Sequence, residues 1–333
     1  MRIGVTYDLR ADYLALGMSE EETAEFDSEV TIDAICEALA ALDYQPVRIG
    51  GIRPLTQRLA AGERWDAVFN ICEGLKGPAR EAQVPALLEA YDIPYVFSDP
   101  LTLSIALDKG WAKRIVRDAG IATAQFAVIE KMDDVAAIDL GFPLFLKPIG
   151  EGSGKGVDEK SRVDDRQQLR ATAADLLARF HQPVLVESFL PGREFTVGIT
   201  GTGASAEILG ICEIVPTGNF VGHGYGLVNK EQWEDKVQIN LVDDLQSRVA
   251  GEVALAAWRA LRCRDGGRID IREDADGRPN FIEVNPLAGL RPHYSDLCFI
   301  ADYKGLSYKG LIGLFMNSFL DRHPHLRARA AAE

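Results

Sequence analysis

The chain has 333 residues, of which 47% are hydrophobic and 26% are charged, a balance typical of soluble globular proteins. Its net charge of -14 argues against a nucleic-acid partner, which needs a basic surface, and against an anionic membrane surface. The N-terminus carries charges where a signal peptide would be apolar, and no run approaches the roughly 18 apolar residues of a spanning helix. We therefore expect a cytoplasmic protein.

The first hundred residues alternate between strand-like and helix-like segments. Strands are predicted at RIGVTY, QPVRI, DAVFNI and PYVF, and a helix at REAQVPALLEAY. Asp27 or Ser28 can cap an earlier helix, and its inward face should carry Val30, Ile35, Ala38, Leu39 and Leu42. Strands separated by helices predict a parallel α/β sheet with functional loops at the carboxyl ends of its strands. Glu73 lies at one such end.

A second unit follows, with a helix at LDKGWAKRIVRDAG and strands at TAQFAVI, FPLFLKPI and PVLVESFL. The loop GEGSGKG comes directly after the second of these strands, and its glycines would let backbone N–H groups approach a polyanion. Lys147, at the end of that strand, is a natural ligand for a phosphate group. The alternatives are a flexible loop and an ordinary exposed lysine at a strand end.

The third unit contains the strands EFTVGIT and AEILGICEIV, a long helix near 241–263 and a terminal helix around GLIGLFMNSFL. Between these helices, GGRIDIREDADGRPNFIEVN alternates apolar and polar residues around a turn, which predicts a hairpin. Arg268 and Asp270 share its polar face, and Glu283 and Asn285 can converge with them if the strands pair. The alternative interpretation is an amphipathic hairpin with a solvated face.

Taken in order, these motifs resemble the ATP-grasp superfamily and, within it, the D-alanine:D-alanine ligase family. The resemblance runs from about residue 65 to 315 and rests on Asp108-Lys109, LKPIGEGSGKG, VESFLPGREFTV, GRIDIRED and FIEVNPLAGL. It implies an α/β (α+β ATP-grasp) fold with an N-terminal parallel α/β domain at 1–100. A two-part ATP-grasp domain would follow, with a central subdomain at 101–195 and a C-terminal subdomain at 196–325.

The resemblance also implies a set of ATP contacts. Two lysines would hold the phosphates, the glycine-rich loop with Ser153 would close over them, and a hinge would meet adenine and ribose. These contacts are Lys109, Lys147, Glu151, Gly152, Gly154, Glu187, Ser188, Phe189, Leu190 and Glu194. The hairpin residues Asp270, Glu283 and Asn285 match ligands for Mg²⁺, with two ions expected, because hard oxygen ligands suit that metal. Arg268 would stabilise charge on the reacting carboxylate.

The implied function is that of an ATP-dependent carboxylate–amine ligase, which forms an amide through an acyl phosphate. D-alanine is the best single substrate prediction. The alternatives are another small amino acid or carboxylate/amine pair, and a non-catalytic nucleotide-binding regulator. Proteins of this kind are commonly dimers, so a homodimer is a further expectation.

Departures from the family pattern surround the amino-acid subsites. The predicted catalytic set includes Ser153, Gly289 and a lid lysine in the segment around NFVGHGYGLVNK, for which Lys230 is the better match and Lys236 the rival. Ser295 and Arg291 are predicted to bind substrate, and Arg291 and His293 lie in a lengthened loop. The residue that holds the first amino group is open between Glu25 and Glu29. Asn70 to Gly74 replace the family's usual histidine-glycine stretch.

Overall fold

The structure is a computed structural model that describes residues 1–216 and 237–330. Its strands are β1 to β13 in chain order: Arg2–Tyr7, Gln45–Arg48, Ala67–Ile71, Tyr95–Val96, Phe126–Ile129, Leu144–Pro148, Arg162–Val163, Val184–Ser188, Glu194–Thr200, Glu207–Pro216, Val237–Leu241, Gly266–Glu273 and Pro279–Asn285. Its α-helices are α1 to α11: Arg10–Ala15, Glu29–Ala41, Ile52–Ala60, Gln83–Ala90, Pro100–Leu107, Lys109–Asp118, Arg166–Phe180, Leu245–Ala260, Asp296–Tyr303, Tyr308–Arg322 and Pro324–Ala330. The mixed α/β class predicted from the sequence is confirmed.

The first sheet is parallel, in the order β2-β1-β3-β4. The connection after β3 turns at Gly74, whose φ is 71° and whose N–H donates to the Asp8 carboxylate at 2.9 Å. A side chain at Gly74 would collide with the Arg80 carbonyl oxygen, 2.4 Å from the position of a Cβ. The turn is therefore tight, and it fixes the direction in which the neighbouring Glu73 leaves the sheet.

One residue of helix α2 differs from its predicted position. Val30 is 57% exposed, whereas Ile32 and Ile35 are fully buried. The helix begins at Glu29 after the Ser28 cap, so its apolar face begins two residues later than expected.

The middle sheet is antiparallel, in the order β5-β8-β6-β7. Leu144 and Leu146 of β6 point into a core shared with Leu169 and Leu176 of α7. Since side chains alternate along a strand, Lys147 points to the opposite face of the sheet. That face is open to a cleft between the middle sheet and the third sheet.

The third sheet is antiparallel, in the order β11-β10-β9-β12-β13. Ile269 and Ile271 are fully buried against the helix α8, where Trp258 is also fully buried. The pairing places Asp270 opposite Glu283 and Arg268 opposite Asn285. The predicted hairpin and its polar face are therefore present.

Helix α10 packs against helix α2 and the first sheet, and it also touches the third sheet. Phe315 contacts Phe97 with ring centroids 5.4 Å apart, and Phe97 contacts Phe69 of β3 at 5.1 Å. The fully buried Asp265 pairs with Arg322 at 2.5 Å and accepts from the Phe97 N–H at 2.8 Å. The two ends of the chain thus share one core. Among the helices in the described part of the chain, none is long and apolar enough to cross a membrane.

Candidate active site

The polar face of the β12–β13 hairpin gathers oxygen atoms at one place. Thr196 of β9 donates to Asp270 at 2.9 Å, and the Asn285 amide lies 3.5 Å from the same carboxylate. Arg268 also pairs with Asp270 and lies 3.3 Å from Asp296 of helix α9. Burial would lower the pKa of Arg268, but these carboxylates raise it, so the guanidinium stays charged.

Two buried lysines approach the hairpin from other elements. Lys109 begins helix α6, and its Nζ lies 3.6 Å from the Glu283 carboxylate. Lys147, at the end of β6, lies 4.0 Å from the same carboxylate. The structure therefore brings together both predicted phosphate ligands and a predicted metal ligand, although they are far apart in the sequence.

A third lysine, Lys113, was not identified from the sequence. It is fully buried and lies 2.8 Å from one oxygen of Glu187, whose other oxygen lies 3.1 Å from Lys147. Burial alone would raise the pKa of Glu187, but the two ammonium groups hold it below its usual range. The only sequence signal for Lys113 was its position one helical turn after Lys109, which places both on one face of α6.

The connection from β8 to β9 forms the far wall of the cleft. The N–H groups of Ser188 and Phe189 donate to the Gln125 and Pro143 carbonyl oxygens at 2.8 and 3.1 Å, so they are already engaged. Leu190 also lines the cleft. Glu194 pairs with Arg272 at 3.1 Å; its pKa is raised because burial and Asp270 outweigh that arginine.

The glycine-rich loop is tied to the first sheet's side of the molecule through Glu25. The Gly152 N–H donates to Glu25 at 2.6 Å, and a Cβ at Gly152 would lie only 2.6 Å from that oxygen. Lys155 in the same loop lies 3.3 Å from Glu25 and 2.7 Å from Glu151. A side chain at 152 would therefore have to displace the Glu25 carboxylate from its contacts with the loop.

Arg80 completes this contact. It donates to the Gly150 carbonyl oxygen at 2.9 Å and to Glu25 at 3.0 Å. Burial opposes ionisation of Glu25, but Arg80 and Lys155 lower its pKa. Glu29, the rival to Glu25 in the sequence, pairs instead with Arg48 at 3.1 Å on the exposed surface. Of these two glutamates, Glu25 is the one that faces the site.

Two further cavities adjoin this cleft between the middle and third sheets. The larger, of about 480 Å³, includes Asp27, Ser153, Gly289, Arg291 and Ser295 in its lining. In it, the Arg291 N–H donates to the Ser295 hydroxyl at 3.0 Å.

The smaller cavity, of about 120 Å³, extends from Glu25, Glu73 and Glu81 to Glu283 and Asn285. Arg268 lines the cleft and both cavities. The predicted lysines Lys230 and Lys236, with the segment around NFVGHGYGLVNK, fall in 217–236 and so lie outside the described residues.

Comparison with known proteins places this arrangement in a class. The model of the family described as "D-ala D-ala ligase C-terminus" matches residues 115–317. A solved D-alanine--D-alanine ligase from Bacillus anthracis, complexed with ATP, superposes with a TM-score of 0.73 at 24% identity, over 98% of this chain and 99% of that one. VanG D-Ala:D-Ser ligase from Enterococcus faecalis superposes with a TM-score of 0.72 at 20% identity, over 96% and 99%. The class is therefore that of the ATP-grasp ligases.

The sequence relatives narrow this class to a family. The chain is 37% identical to the D-alanine--D-alanine ligase of Bordetella petrii over 268 residues, which cover 78% of this chain and 77% of that protein. The chain belongs to the D-alanine–D-alanine ligase family, and the resemblance noted in its motifs is confirmed. It is accordingly an ATP-grasp ligase.

Proposed function

We propose that the protein uses ATP and magnesium to join two small amino acids by an amide bond, with an acyl phosphate as the intermediate. D-alanine is the first substrate to test on both sides, because the relatives at 33–37% identity carry the name D-alanine--D-alanine ligase. The proposal rests on the position of Arg268, which lines the nucleotide cleft and both neighbouring cavities. One guanidinium can therefore face the carboxylate while it is activated and while it is attacked.

In this proposal the cleft holds ATP as a substrate. Lys109 and Lys147 would contact its phosphates as point charges, under a loop made of Glu151, Gly152, Ser153 and Gly154. Glu187, with the backbone of Ser188, Phe189 and Leu190, would meet the adenine. Because the Ser188 and Phe189 N–H groups are engaged elsewhere, we assign the hinge donor to Leu190. Glu194 would accept hydrogen bonds from the ribose.

The hairpin fits magnesium. Asp270, Glu283 and Asn285 offer two carboxylates and an amide oxygen, the hard ligands that this ion prefers. In the described ranges no group of three His, Cys, Asp or Glu side chains is arranged to bind a metal, so phosphate oxygens and water would have to complete the coordination. Two ions held there would neutralise charge on the phosphates.

The smaller cavity is assigned to the donor amino acid, because it opens onto Glu283 and Arg268. The donor carboxylate would attack the γ-phosphoryl group of ATP. This step needs positioning more than acid–base chemistry. Glu25 would bind the donor ammonium, and it would then lose part of its contacts with the Gly152 N–H and with Lys155. Donor binding and the position of the glycine-rich loop would then be coupled.

The larger cavity is assigned to the acceptor. Ser295 and Arg291, with the backbone at Gly289, would bind the acceptor carboxylate. Its amine would attack the acyl carbon, the bond from that carbon to the phosphate oxygen would break, and inorganic phosphate would leave. Burial, partly offset by the Thr31 hydroxyl, raises the pKa of Asp27 to about 7. Asp27 is therefore suited to accept the proton that the amine releases.

A coupled assay of ADP release with magnesium, across D- and L-amino acids alone and in pairs, tests this function. We expect at least one pair to stimulate ATP consumption and to give a dipeptide by mass spectrometry. If no carboxylate and amine pair consumes ATP, the proposal is wrong. If another pair is active while D-alanine is not, only the substrate assignment fails. Cytoplasmic location and homodimeric assembly belong to the same proposal, and light scattering would measure the assembly.

A further inference from the structure

The smaller cavity has an unusual lining for a pocket that would hold a neutral side chain. Its end nearest the hairpin carries Arg268 and Glu283, the groups assigned to the chemistry. Its other end carries three carboxylates, those of Glu25, Glu73 and Glu81. An amino acid held by its carboxylate at the first end would direct its remaining atoms toward these three groups.

Only one of the three carboxylates has a counter-ion. Glu25 is held by Arg80 and Lys155. Within residues 1–216 and 237–330, Glu73 and Glu81 make no hydrogen bond or ion pair. These two side chains therefore line the cavity without an ion-pair partner in the described protein.

The cations nearby are already engaged. Arg80 is divided between Glu25 and the Gly150 carbonyl oxygen. Lys109 donates to the Glu151 carbonyl oxygen at 2.5 Å and lies beside Glu283. Arg268 is paired with Asp270 and Asp296. None of these three cations pairs with Glu73 or Glu81 in the described chain, so both carboxylates are available to a cation from outside.

Burial and the close grouping of the three carboxylates raise the pKa values of Glu73 and Glu81. Burial first, then the charges of Glu81 and Glu25, raise the pKa of Glu73 well above its usual range. Burial and Glu25, against the opposing effects of Arg80 and Lys109, raise the pKa of Glu81 to about 7. An ammonium group placed between the two would let both ionise and would gain a charge-assisted hydrogen bond from each.

We propose that the donor is a small diamino acid, with its α-ammonium on Glu25 and a second ammonium, on its side chain, between Glu73 and Glu81. This inference rests on the proposed ligase function and specifies its donor. The tight turn at Gly74 fixes the position of Glu73, and the single helical turn Arg80–Ala82 fixes the position of Glu81. A neutral donor would leave the two carboxylates unpaired, and buried sites discriminate strongly against partners that do so.

The test compares diaminobutyrate with aminobutyrate, which has the same carbon chain without the second amine. Both enantiomers of each are assayed with the full-length enzyme, magnesium and ATP, with D-alanine as acceptor and with each amino acid as its own acceptor. We expect kcat/KM to favour the diamino acid by about tenfold or more. Carboxylates labelled with the heavy oxygen isotope identify the donor, because one donor oxygen leaves in the released phosphate.

Two variants and a control locate the effect. Glu73→Gln and Glu81→Gln should each reduce the preference about tenfold, while Glu37→Gln, on the exposed face of α2, should leave it unchanged. The second variant serves if the first does not fold, as judged by circular dichroism.

The outcomes separate the inference from the function beneath it. If ATP is consumed but aminobutyrate equals diaminobutyrate, or if a folded glutamine variant keeps the preference, the diamino donor is refuted and the ligase stands. If the label shows that the diamino acid is the acceptor, the assignment of the smaller cavity is refuted. If no pair consumes ATP, the ligase function itself fails.

Discussion

Replacement of Lys113 by methionine should reduce both stability and ATP binding. Lys113 is fully buried, and its Nζ contacts Glu187 at 2.8 Å, the Thr123 hydroxyl at 2.8 Å and the Phe281 carbonyl oxygen at 3.2 Å. Methionine keeps much of the stem but removes the charge and all three polar contacts. The buried Glu187 would then be balanced by Lys147 alone.

The magnitude follows from what is left behind. Removing one partner of a buried ion pair costs about 3–5 kcal/mol when the other charge is left uncompensated. Lys147 remains 3.1 Å from Glu187, so we expect about 2–4 kcal/mol. Lys147 would also be drawn toward Glu187 and away from phosphate. ATP affinity should therefore fall by about tenfold, the effect of losing roughly one charged hydrogen bond.

Urea unfolding followed by tryptophan fluorescence measures the first effect, and calorimetric titration with ATP measures the second. Lys309→Met, at an exposed position in α10, is the matched control and should change neither quantity. The double variant Lys113→Met with Glu187→Gln should lose less than the sum of the two single losses, because the unbalanced charge is then absent. A loss below about 1 kcal/mol, or additive single losses, would refute the electrostatic reasoning.

Three further predictions concern the hairpin, the cleft and the smaller cavity. Glu283→Gln should keep the fold but remove most turnover at low magnesium, because a metal charge loses its counter-ligand. Lys147→Met should weaken ATP binding even with saturating amino acid. The free energy of unfolding of Glu81→Gln, measured relative to that of the native chain, should increase by at most about 3 kcal/mol as pH rises from about 5 to about 8. In the native chain the pKa of Glu81 is raised from 4.5 to about 7. The protonated carboxyl therefore contributes stability that is fully present below pH 4.5 and is lost as pH rises through about 7, whereas glutamine does not titrate.

Each of these predictions has a contrary result. Native turnover of Glu283→Gln at low magnesium would remove that residue from the metal site. Native ATP affinity of Lys147→Met by calorimetry would contradict the phosphate contact. A stability difference between Glu81→Gln and the native chain that is the same at both pH values would show that Glu81 is not strained by burial.

The sequence by itself predicted the elements whose cause is local. The alternation of Arg268, Ile269 and Asp270 requires that the polar pair share one face of a strand, since successive side chains point to opposite sides. The turn after the strand ends brings Glu283 back opposite Asp270. Lys147 was predicted as a phosphate ligand from its position at a strand end beside the glycine-rich loop, and the structure places it on the face of that strand opposite Leu146. The order of the motifs was enough to identify the family.

Only the tertiary structure decided which of the remaining charged residues belong to the site. Glu25 and Glu29 lie four residues apart in the chain, but the first contacts Gly152, 127 residues away, while the second pairs with Arg48 on the surface. In the sequence Lys113 is an ordinary helical lysine, and only the fold places Glu187 beside it. The grouping of Glu73 and Glu81 beside Glu25 likewise has no signal in the sequence. Periodicity reports the direction of a side chain from its own backbone. The electrostatic partner of a charge depends on how separate elements pack, which no local pattern encodes.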